Sequence, residues 1–508
     1  MVIKNKSNIL TYIIFVLILL VLGIIFSVNL FHYTYKMNAD IAAEGILARL
    51  IAESGQWMPD SWYVGNEVRL FNVANLAALL YGITGSMILS MGIACCIAAC
   101  GVVGSAFFLM SSLRLEPAQK ALFVLLCMVL PNNYVVAELF YLFAGYYTPV
   151  IIVLFLTMGI YAGFLRRGPD VAGVVISLIL QFMLGAQSVR GLLVVGCPIL
   201  AVEVLRNLYL LWCGKEYTRQ DKKALMWSIL LVVAGFAGNR LPFAVGQSTS
   251  RNLRGAPRKL VEVVIPDFLS ACGWQNAAGV GKLILILFAL LMILGLLHVL
   301  HKMWNRKEIR GEEWMYFVLL AAPAASGVIL TFTTSESSSR YFFVIIITMG
   351  MSAVVVWNEK TKWCLAALAV TVTLLHVSQL YLPILQRDSS AESDVAKVAE
   401  FLEEKGYDMA YATFENANTI TMMGDGAVKV ATVNSVERMN AHRSLSSRDW
   451  YVPFRPQKEK TAYIITEYEK ENTNFNTFYH QHQDTLWYET QIGKYHIYGS
   501  EYNYSVLE

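Results

Sequence analysis

Long apolar runs separated by short polar connections dominate the first three quarters of the chain. The runs are continuously apolar rather than alternating. This predicts membrane-spanning helices, since a span needs roughly 20 mostly apolar residues. The predicted spans are 9–32, 83–112, 118–132, 149–165, 171–188, 191–213, 224–242, 282–303, 314–333, 341–357 and 363–383. Segment 73–82 is a candidate re-entrant or interfacial piece, so the total of eleven carries an error of about one or two.

The pattern becomes polar and charged after residue 385. The stretch AESDVAKVAEFLEEKG predicts a helix with a solvated Glu/Lys face and a glycine stop. Five short runs then predict strands, the last two joined as a hairpin: MAYATF, AVKVATV, AYIITEY, LWYET and KYHIYGS. We therefore predict a membrane domain over 1–385 and a small α/β domain over 386–508.

Composition supports a polytopic membrane protein. The 508 residues are 56% hydrophobic and only 15% charged, whereas a soluble protein carries about a quarter charged residues. A net charge of +3 is too small to indicate nucleic-acid binding. The eight cysteines show neither metal-ligand nor disulfide spacing, so no metal site is predicted from them. Lys4 and Lys6 precede a first run too long for a cleaved signal peptide, which predicts an uncleaved signal anchor.

The basic residues predict the orientation in the plasma membrane. Alternate short connections carry clusters of Lys and Arg, and this bias places the N-terminus inside and the C-terminus outside. The basic connections contain Arg114 and Lys120; Arg166 and Arg167; Lys215, Arg219, Lys222 and Lys223; Lys302, Arg306, Lys307 and Arg310; Lys360 and Lys362. Two longer outer loops, 33–72 and 243–281, are exempt from this rule, so their charges need a separate explanation.

The first outer loop carries candidate bases. Asp40 and Glu44 are four residues apart and share one face of a predicted interfacial helix. Carboxylates beside an apolar wall suit proton abstraction, because desolvation tunes their basicity. The alternative is that Asp40 only stabilises the helix N-terminus. Glu67 is followed closely by Arg69; it is either an acceptor-binding or metal-binding carboxylate, with a divalent cation then possible, or half of a surface ion pair.

The remaining candidates lie at the predicted outer rim and suit an anionic partner. Arg190, in GAQSVRG, either faces a cavity or snorkels to headgroups. The cluster Arg251, Arg254, Arg258 and Lys259 pairs either with a specific lipid phosphate or with anionic headgroups in general, and Arg340 is a candidate for the same set. Glu138 is a lone acid in a connection whose tyrosines form an interfacial belt or stack on sugars.

The layout resembles the GT-C superfamily of membrane glycosyltransferases, which includes protein mannosyltransferases and bacterial aminoarabinose transferases. The similar features are an acid soon after the first span, in NAD ending at Asp40; the SWYVGNEVRL stretch; the late RYF of Arg340, Tyr341 and Phe342; and a C-terminal extracytoplasmic domain. The superfamily often has paired acids at the first of these places, whereas position 41 is Ile here. Asp40 and Glu44 therefore both stay open as the base.

The resemblance implies transfer of a sugar from a polyprenyl-phosphate carrier to a hydroxyl of a glycan, lipid or protein acceptor outside the cytoplasm. A single displacement would invert the anomeric centre. Asp40 is the expected base, with Glu44 or Glu67 as its helper. The expected substrate ligands are Glu67, Arg69, Glu138, Arg190, Arg251, Arg254, Arg258, Lys259, Arg340 and Tyr341.

Three other functions stay open from the sequence. A lipid flippase or transporter predicts charges in the middle of spans and an inverted repeat, and neither is evident. A polysaccharide polymerase or ligase is chemically close to the transferase. A non-catalytic anchor would leave the acidic first loop unexplained. No phosphate-cradling glycine loop, nucleophile elbow or metalloprotease motif occurs, which argues against nucleotide hydrolysis and proteolysis.

Overall fold

The computed structural model describes residues 2–34 (2–8 by their backbone), 36–65, 67–242, 250–275, 277–386, 393–453 and 455–507. Residues 243–249 and 276 of the predicted second outer loop and residues 387–392 of the predicted C-terminal domain lie outside this description, as do Tyr35 and Asn66 of the first outer loop.

Helices form most of the chain up to residue 385. They are α1 Val2–Phe31, α2 Ala39–Ser54, α3 Val73–Thr84, α4 Met87–Ser112, α5 Pro117–Val129, α6 Tyr134–Phe140, α7 Thr148–Arg167, α8 Val171–Gln187, α9 Cys197–Trp212, α10 Arg219–Gly238, α11 Ala256–Lys259, α12 Ile265–Ala271, α13 Val280–Trp304, α14 Gly311–Phe332, α15 Val344–Val355, α16 Lys362–His376 and α17 Leu382–Leu385. π-helical turns at Leu192–Gly196, Leu260–Val264 and Val377–Tyr381 precede α9, α12 and α17, and a 3₁₀ turn at Ser339–Phe342 precedes α15.

All eleven predicted spans are helical, which confirms the helical membrane fold class. Within the described ranges, seven helical stretches are long and apolar enough to cross a membrane by length and composition. Three of the remaining four are shorter, and the fourth, α10, begins with the charged sequence RQDKK. The predicted span 83–112 begins later than expected, because Gly85 adopts a left-handed φ of 66° that ends α3 and separates it from α4.

The chain divides into two compact units. The first comprises 1–26 and 97–383, and the second comprises 27–96 and 384–508. The helix-rich first unit contains α5 to α16, whereas the second joins the first outer loop to the C-terminal region. Helices α1 and α4 contribute residues to both units. The composition predicts a boundary near residue 385. It does not indicate that the first outer loop belongs to the same compact unit as the C-terminal region.

The second unit contains a five-stranded sheet. Its strands are β1 Met409–Thr413, β2 Lys429–Val433, β3 Gln457–Thr466, β4 Leu486–Ile492 and β5 Tyr495–Asn503, in the order β2-β1-β3-β5-β4. The first three strands run parallel, and β4 and β5 form the predicted antiparallel hairpin. The helices are α18 Asp394–Glu404, α19 Phe414–Met423, α20 Glu467–Asn472 and α21 Phe475–His482, with a 3₁₀ turn at Arg448–Trp450. Val398 and Leu402 of α18 pack with Ala410, Val430 and Ile464 of the sheet in one apolar core.

Helix α2 packs into this same unit instead of presenting one apolar stripe. Every residue from Ala39 to Ala48 except Asp40 is buried. Gly45 approaches α19 so closely that an added Cβ would lie 2.5 Å from Sδ of Met422. Arg49 Nη1 donates to the carbonyl of Gly426 over 2.6 Å, just beyond the end of α19. An interfacial helix is expected to be buried on one side only. The first three turns of α2 are instead buried on several sides, because other parts of the protein surround them.

The first outer loop is also paired with the C-terminal region. Trp62 and Ser447 form an antiparallel bridge, and the backbone of Tyr63 donates to the carbonyl of Ser446 over 2.9 Å. Asp425 caps α4 by accepting from the backbone of Met87 over 2.6 Å. These contacts fix α2 and the loop after it against the C-terminal region from residue 393 onward, which we call the sheet domain.

Candidate functional site

The predicted acidic residues meet at the start of α2. The side chain of Asn38 caps this helix by accepting from the backbone of Ile41 over 2.9 Å. Asp40 lies in the first turn, where the helix dipole stabilises a negative charge. Asn38 supplies the side-chain cap, so stabilisation by the dipole and a catalytic role both stay open for Asp40.

Asp40 and Glu44 differ in exposure although they lie one turn apart. Asp40 is half-buried, while Glu44 is 4% exposed. A base must reach the proton that it removes, either directly or through one water. The exposure of the two carboxylates therefore favours Asp40 as the group that meets an acceptor.

Glu44 is held by Arg69. Nε and Nη2 of Arg69 both lie 2.7 Å from Oε1 of Glu44. Oε2 of Glu44 is buried and has no hydrogen-bond partner among the described residues. Burial raises the pKa of the Glu44 carboxyl above its usual value of 4.5, and the nearby charge of Arg69 opposes this rise. Glu44 is thus a buried carboxyl group, and the positive charge of Arg69 stabilises its ionised form.

Glu44 should make the stability of the protein depend on pH. Because its folded-state pKa is raised, its stabilising contribution is complete below about pH 4.5 and is lost as the pH rises toward the folded-state pKa. We expect the Glu44→Gln variant to lose less thermal stability than the native protein between pH 4.5 and pH 7.5. Intrinsic-fluorescence melting of the purified protein at several pH values measures this difference.

The matched control is Glu53→Gln on the same helix, because Glu53 forms an ion pair with Arg49 over 2.6 Å and is 46% exposed. Its melting profile should keep the native pH dependence. Parallel profiles for the native and Glu44→Gln proteins would show that Glu44 does not titrate in this window.

Arg69 also binds Glu67, whose Oε2 lies 3.1 Å from Nη1. The side chains of Arg69 and Glu67 are 19% and 16% exposed, so this ion pair is largely buried. Asp40, Glu44, Glu67 and Arg69 form what we call the acid cluster, in which Arg69 pairs with two of the three acids, Glu44 and Glu67. In the described part of the chain, no group of three or more His, Cys, Asp or Glu side chains is arranged to hold a metal ion.

Arg190 lies in the first unit, between α8 and the π-helical turn that precedes α9. Its Cζ lies 3.9 Å from the ring centroid of Tyr147 and 5.2 Å from that of Tyr341. The guanidinium thus bridges two tyrosines from different connections, a cation–π arrangement that fixes its orientation. π-Helical turns often occur at functional sites.

Arg340 lies on the same set of connections. Its Cζ is 5.5 Å from the ring centroid of Tyr146, the neighbour of Tyr147 in sequence. Arg190, Arg340, Tyr146, Tyr147 and Tyr341 form what we call the arginine–tyrosine cluster. Two guanidinium groups held by aromatic rings suit a phosphate, because each presents several donors in a rigid plane.

Glu138 lies in α6, in the connection that also supplies Tyr146 and Tyr147. The side chain is 5% exposed. The carbonyl of Glu138 accepts from the backbone of Tyr146 over 3.3 Å, so this residue helps to shape the turn that carries the tyrosines.

The basic stretch 251–259 lies beside the end of α14. The backbones of Arg251 and Thr333 form an isolated antiparallel β-bridge. Nζ of Lys259 donates to the carbonyls of Thr333 and Ser335 over 2.8 and 2.5 Å. Arg258 forms an exposed ion pair with Glu262 over 2.7 Å. Arg251 and Arg254 are exposed. Lys259 therefore anchors the loop to the backbone, and the arginines are the cations of this stretch that lie at the surface.

The sequence indicates Tyr146 and Tyr147 only as part of an aromatic belt. It does not indicate the buried pair of Glu203 and Arg206. Glu203 of α9 accepts from Tyr161 over 2.6 Å and from Arg206 over 2.7 and 2.9 Å, and Arg206 also reaches Asp221 in the first turn of α10. The buried carboxylate of Glu203 is paired with Arg206, as expected of a structural ion pair.

Solved structures, two of ArnT among them, resemble nearly the whole chain, although no protein-family model and no curated protein sequence matches it. One is the crystal structure of ArnT from Cupriavidus metallidurans in the apo state, with 12% sequence identity, a TM-score of 0.57 and coverage of 95% of this chain and 97% of that chain. The other is the same protein bound to undecaprenyl phosphate, with 11% identity, a TM-score of 0.56 and the same coverage. This chain has the ArnT fold.

The ArnT likeness confirms the GT-C fold expected from the sequence resemblance. The match covers 95% of this chain, and the predicted fold class, a helical membrane region with a small C-terminal α/β domain, is confirmed. The candidate site residues themselves stay predictions.

Proposed function

We propose that this protein is a membrane glycosyltransferase that moves a sugar from a polyprenyl-phosphate carrier to a hydroxyl of an extracytoplasmic glycan, lipid or protein. The observation that carries the proposal is the ArnT fold over 95% of the chain, since that ArnT is seen bound to undecaprenyl phosphate. The acid cluster and the arginine–tyrosine cluster each supply a chemistry that the reaction requires.

The proposed reaction is one displacement. The carboxylate of Asp40 accepts the proton of the acceptor hydroxyl as its oxygen attacks the anomeric carbon. The bond from that carbon to the carrier phosphate breaks, and the bonding electrons leave with the phosphate. The products are a glycoside of inverted configuration and the free polyprenyl phosphate.

The other candidates stabilise these changes. Glu44, Glu67 and Arg69 hold the start of α2 in place by their mutual ion pairs. Arg190 and Arg340 stabilise the negative charge that develops on the departing phosphate. Tyr341 and Tyr147 keep the plane of Arg190 fixed. The exposed Arg251, Arg254 and Arg258 attract the anionic carrier to the surface of the protein.

The proposed orientation places the N-terminus in the cytoplasm and the C-terminal sheet domain outside. The support is the distribution of Lys and Arg among the short connections, in agreement with the positive-inside rule. A donor that carries its sugar on a membrane lipid is consistent with a multi-pass enzyme of the cell envelope.

The proposal predicts selective binding of the carrier phosphate. Purified protein in lipid nanodiscs should melt several degrees higher with excess polyprenyl phosphate, since a ligand at 100 times its dissociation constant stabilises by about 2.7 kcal/mol. Polyprenol of the same length is the control and should give no comparable shift. Equal shifts for both lipids would contradict phosphate recognition.

The proposal also predicts catalytic turnover. Membranes containing the protein should release polyprenyl phosphate from one or more sugar-loaded carriers, tested as hexose and pentose conjugates. Failure to release it from every conjugate would contradict sugar transfer.

A further inference from the structure

A cavity opens at the carboxyl ends of the parallel strands in the second unit. From β1 the chain runs through α19 to β2 on one side, whereas β3 lies on the other side of β1. The connections therefore leave β1 and β3 in opposite directions. Ligands of open α/β sheets bind in the crevice at such a switch point, outside the carboxyl ends of the strands.

The cavity has a volume of about 750 Å³, within the range of roughly 300–1,000 Å³ found for small-molecule sites. The turns after β1 and β3, the end of β2 and two residues from neighbouring loops line it. They are Thr413, Phe414, Glu415, Asn416, Val433, Asn434, His442, Thr466, Glu467, Tyr468, Glu469 and Lys494.

Hydrogen bonds hold the base of the cavity rigid. Glu469 accepts from the hydroxyl of Thr413 over 2.5 Å and from the backbone and hydroxyl of Thr466 over 2.7 and 2.8 Å. It thus ties the last residue of β1 to the last residue of β3. Asn416, which is 8% exposed, donates to Thr413 over 2.9 Å and accepts from Tyr495 over 3.2 Å. A cavity with fixed polar groups is prepared to bind a ligand without reorganising.

Other polar and aromatic groups of the lining are available to a ligand. Glu415 is exposed, and the ring of Tyr468 is 74% exposed. The ring of His442 packs edge-on against Phe414 at 5.7 Å. The ring of His442 therefore forms part of the wall of the cavity beside Phe414.

The charge of the lining selects among ligand classes. Three glutamates face one lysine, so a phosphate or another anion is disfavoured. The turn after β1 reads TFEN and has no glycine, whereas the dinucleotide-binding turn at this position requires glycines for close approach to the pyrophosphate. Carboxylates and amides instead accept hydrogen bonds from hydroxyl or amino groups, while aromatic faces pack against the C–H faces of a sugar ring.

We propose that this cavity is a saccharide-binding site for an uncharged or amino-bearing sugar. Tyr468 and Phe414 supply the ring surfaces, and Glu415 and Glu467 bond the hydroxyl groups. The site consists of residues of the sheet domain alone, and it does not depend on the proposed transfer reaction.

Saturation-transfer NMR on the full-length protein in lipid nanodiscs tests this site. Nanodiscs are required because glycoside detergents would compete for the cavity. The probes are mannose, galactose, N-acetylglucosamine and glucosamine, each presented free and as the end of a short oligosaccharide. We expect transfer to at least one probe; stronger transfer to the oligosaccharide would identify a glycan end as the source, and equal transfer a free sugar. No transfer to any probe would overturn the proposal.

The variants Tyr468→Ala and Glu415→Gln should weaken this binding about fivefold to tenfold, since each removes one contact of ordinary strength. The matched controls are Tyr488→Ala and Glu501→Gln, which are exposed residues of the same sheet outside the lining, and they should bind as the native protein does. The Asp40→Asn variant should also bind normally. Binding lost in Asp40→Asn but kept in both cavity variants would overturn the proposal, as would competition by inorganic phosphate.

Discussion

Replacing Asp40 by Asn should lower kcat for sugar transfer by about 10²–10⁴-fold, the usual contribution of a general base. The substitution keeps the size of the side chain and its position in the first turn of α2 but removes the negative charge that accepts the proton. The KM for the carrier should change little, because the base acts on the acceptor in the transition state. Release of polyprenyl phosphate from a sugar-loaded carrier, measured at saturating acceptor, gives both constants.

The structure supplies the comparison that makes this result specific. Glu44→Gln removes a second carboxylate one turn away, but Glu44 is buried and bound by Arg69, so its loss should act mainly through stability. Glu53→Gln lies on the same helix near its end and should have native activity. Full activity in Asp40→Asn together with a large loss in Glu44→Gln would assign the base to Glu44 instead.

The sequence predicted the helical part of the fold well, because apolar runs leave the backbone no partner in a membrane except its own helix. The boundary at Gly85 required a conformation that hydropathy does not report. The sheet domain was also predictable, since short runs rich in β-branched and aromatic residues alternate with turn residues. The neighbours of each strand were not, because the order β2-β1-β3 depends on contacts distant in sequence.

The packing of α2 shows why site prediction is harder than fold prediction. Its sequence ADIAAEGILARLIAES has an apolar stripe, which predicted a helix at an interface. Its small residues Ala42, Ala43 and Gly45 instead allow close packing on several sides. The contact of Gly45 with Met422 joins segments almost 380 residues apart, and no local pattern indicates such a pairing.

The pairing of charges was likewise beyond local patterns. The closeness of Glu67 and Arg69 in sequence suggested an ion pair, but the link from Arg69 to Glu44 depends on how the loop returns to the helix. The sequence indicates Arg190 and Arg340 only separately, each from its position at the end of a span. Their shared feature is a pair of adjacent tyrosines, Tyr146 and Tyr147, in a third connection.

This shared feature leads to the second large effect. Arg190→Gln should lower kcat/KM for the carrier by about 10²–10³-fold, similar to the loss of one donor that stabilises a developing anion. Most of the loss should fall on kcat, because negative charge accumulates on the phosphate as its bond to the sugar breaks. Arg190→Lys should recover only part of the activity, since an ammonium group has neither the planar fork nor the stacking surface that Tyr147 contacts at 3.9 Å in the native protein.

Arg240 provides the control for a general effect of losing an arginine over an aromatic ring. Its Cζ lies 4.7 Å from the ring centroid of Phe236 in the same unit, outside the arginine–tyrosine cluster, so Arg240→Gln should leave kcat/KM within about twofold of native, as expected for a residue that contacts no reacting group. Melting temperatures of the two glutamine variants separate loss of folding from loss of catalysis. If Arg190→Gln raised KM alone and left kcat unchanged, Arg190 would bind the carrier equally in the ground and transition states, and the stabilisation of the leaving phosphate would have to come from other cations.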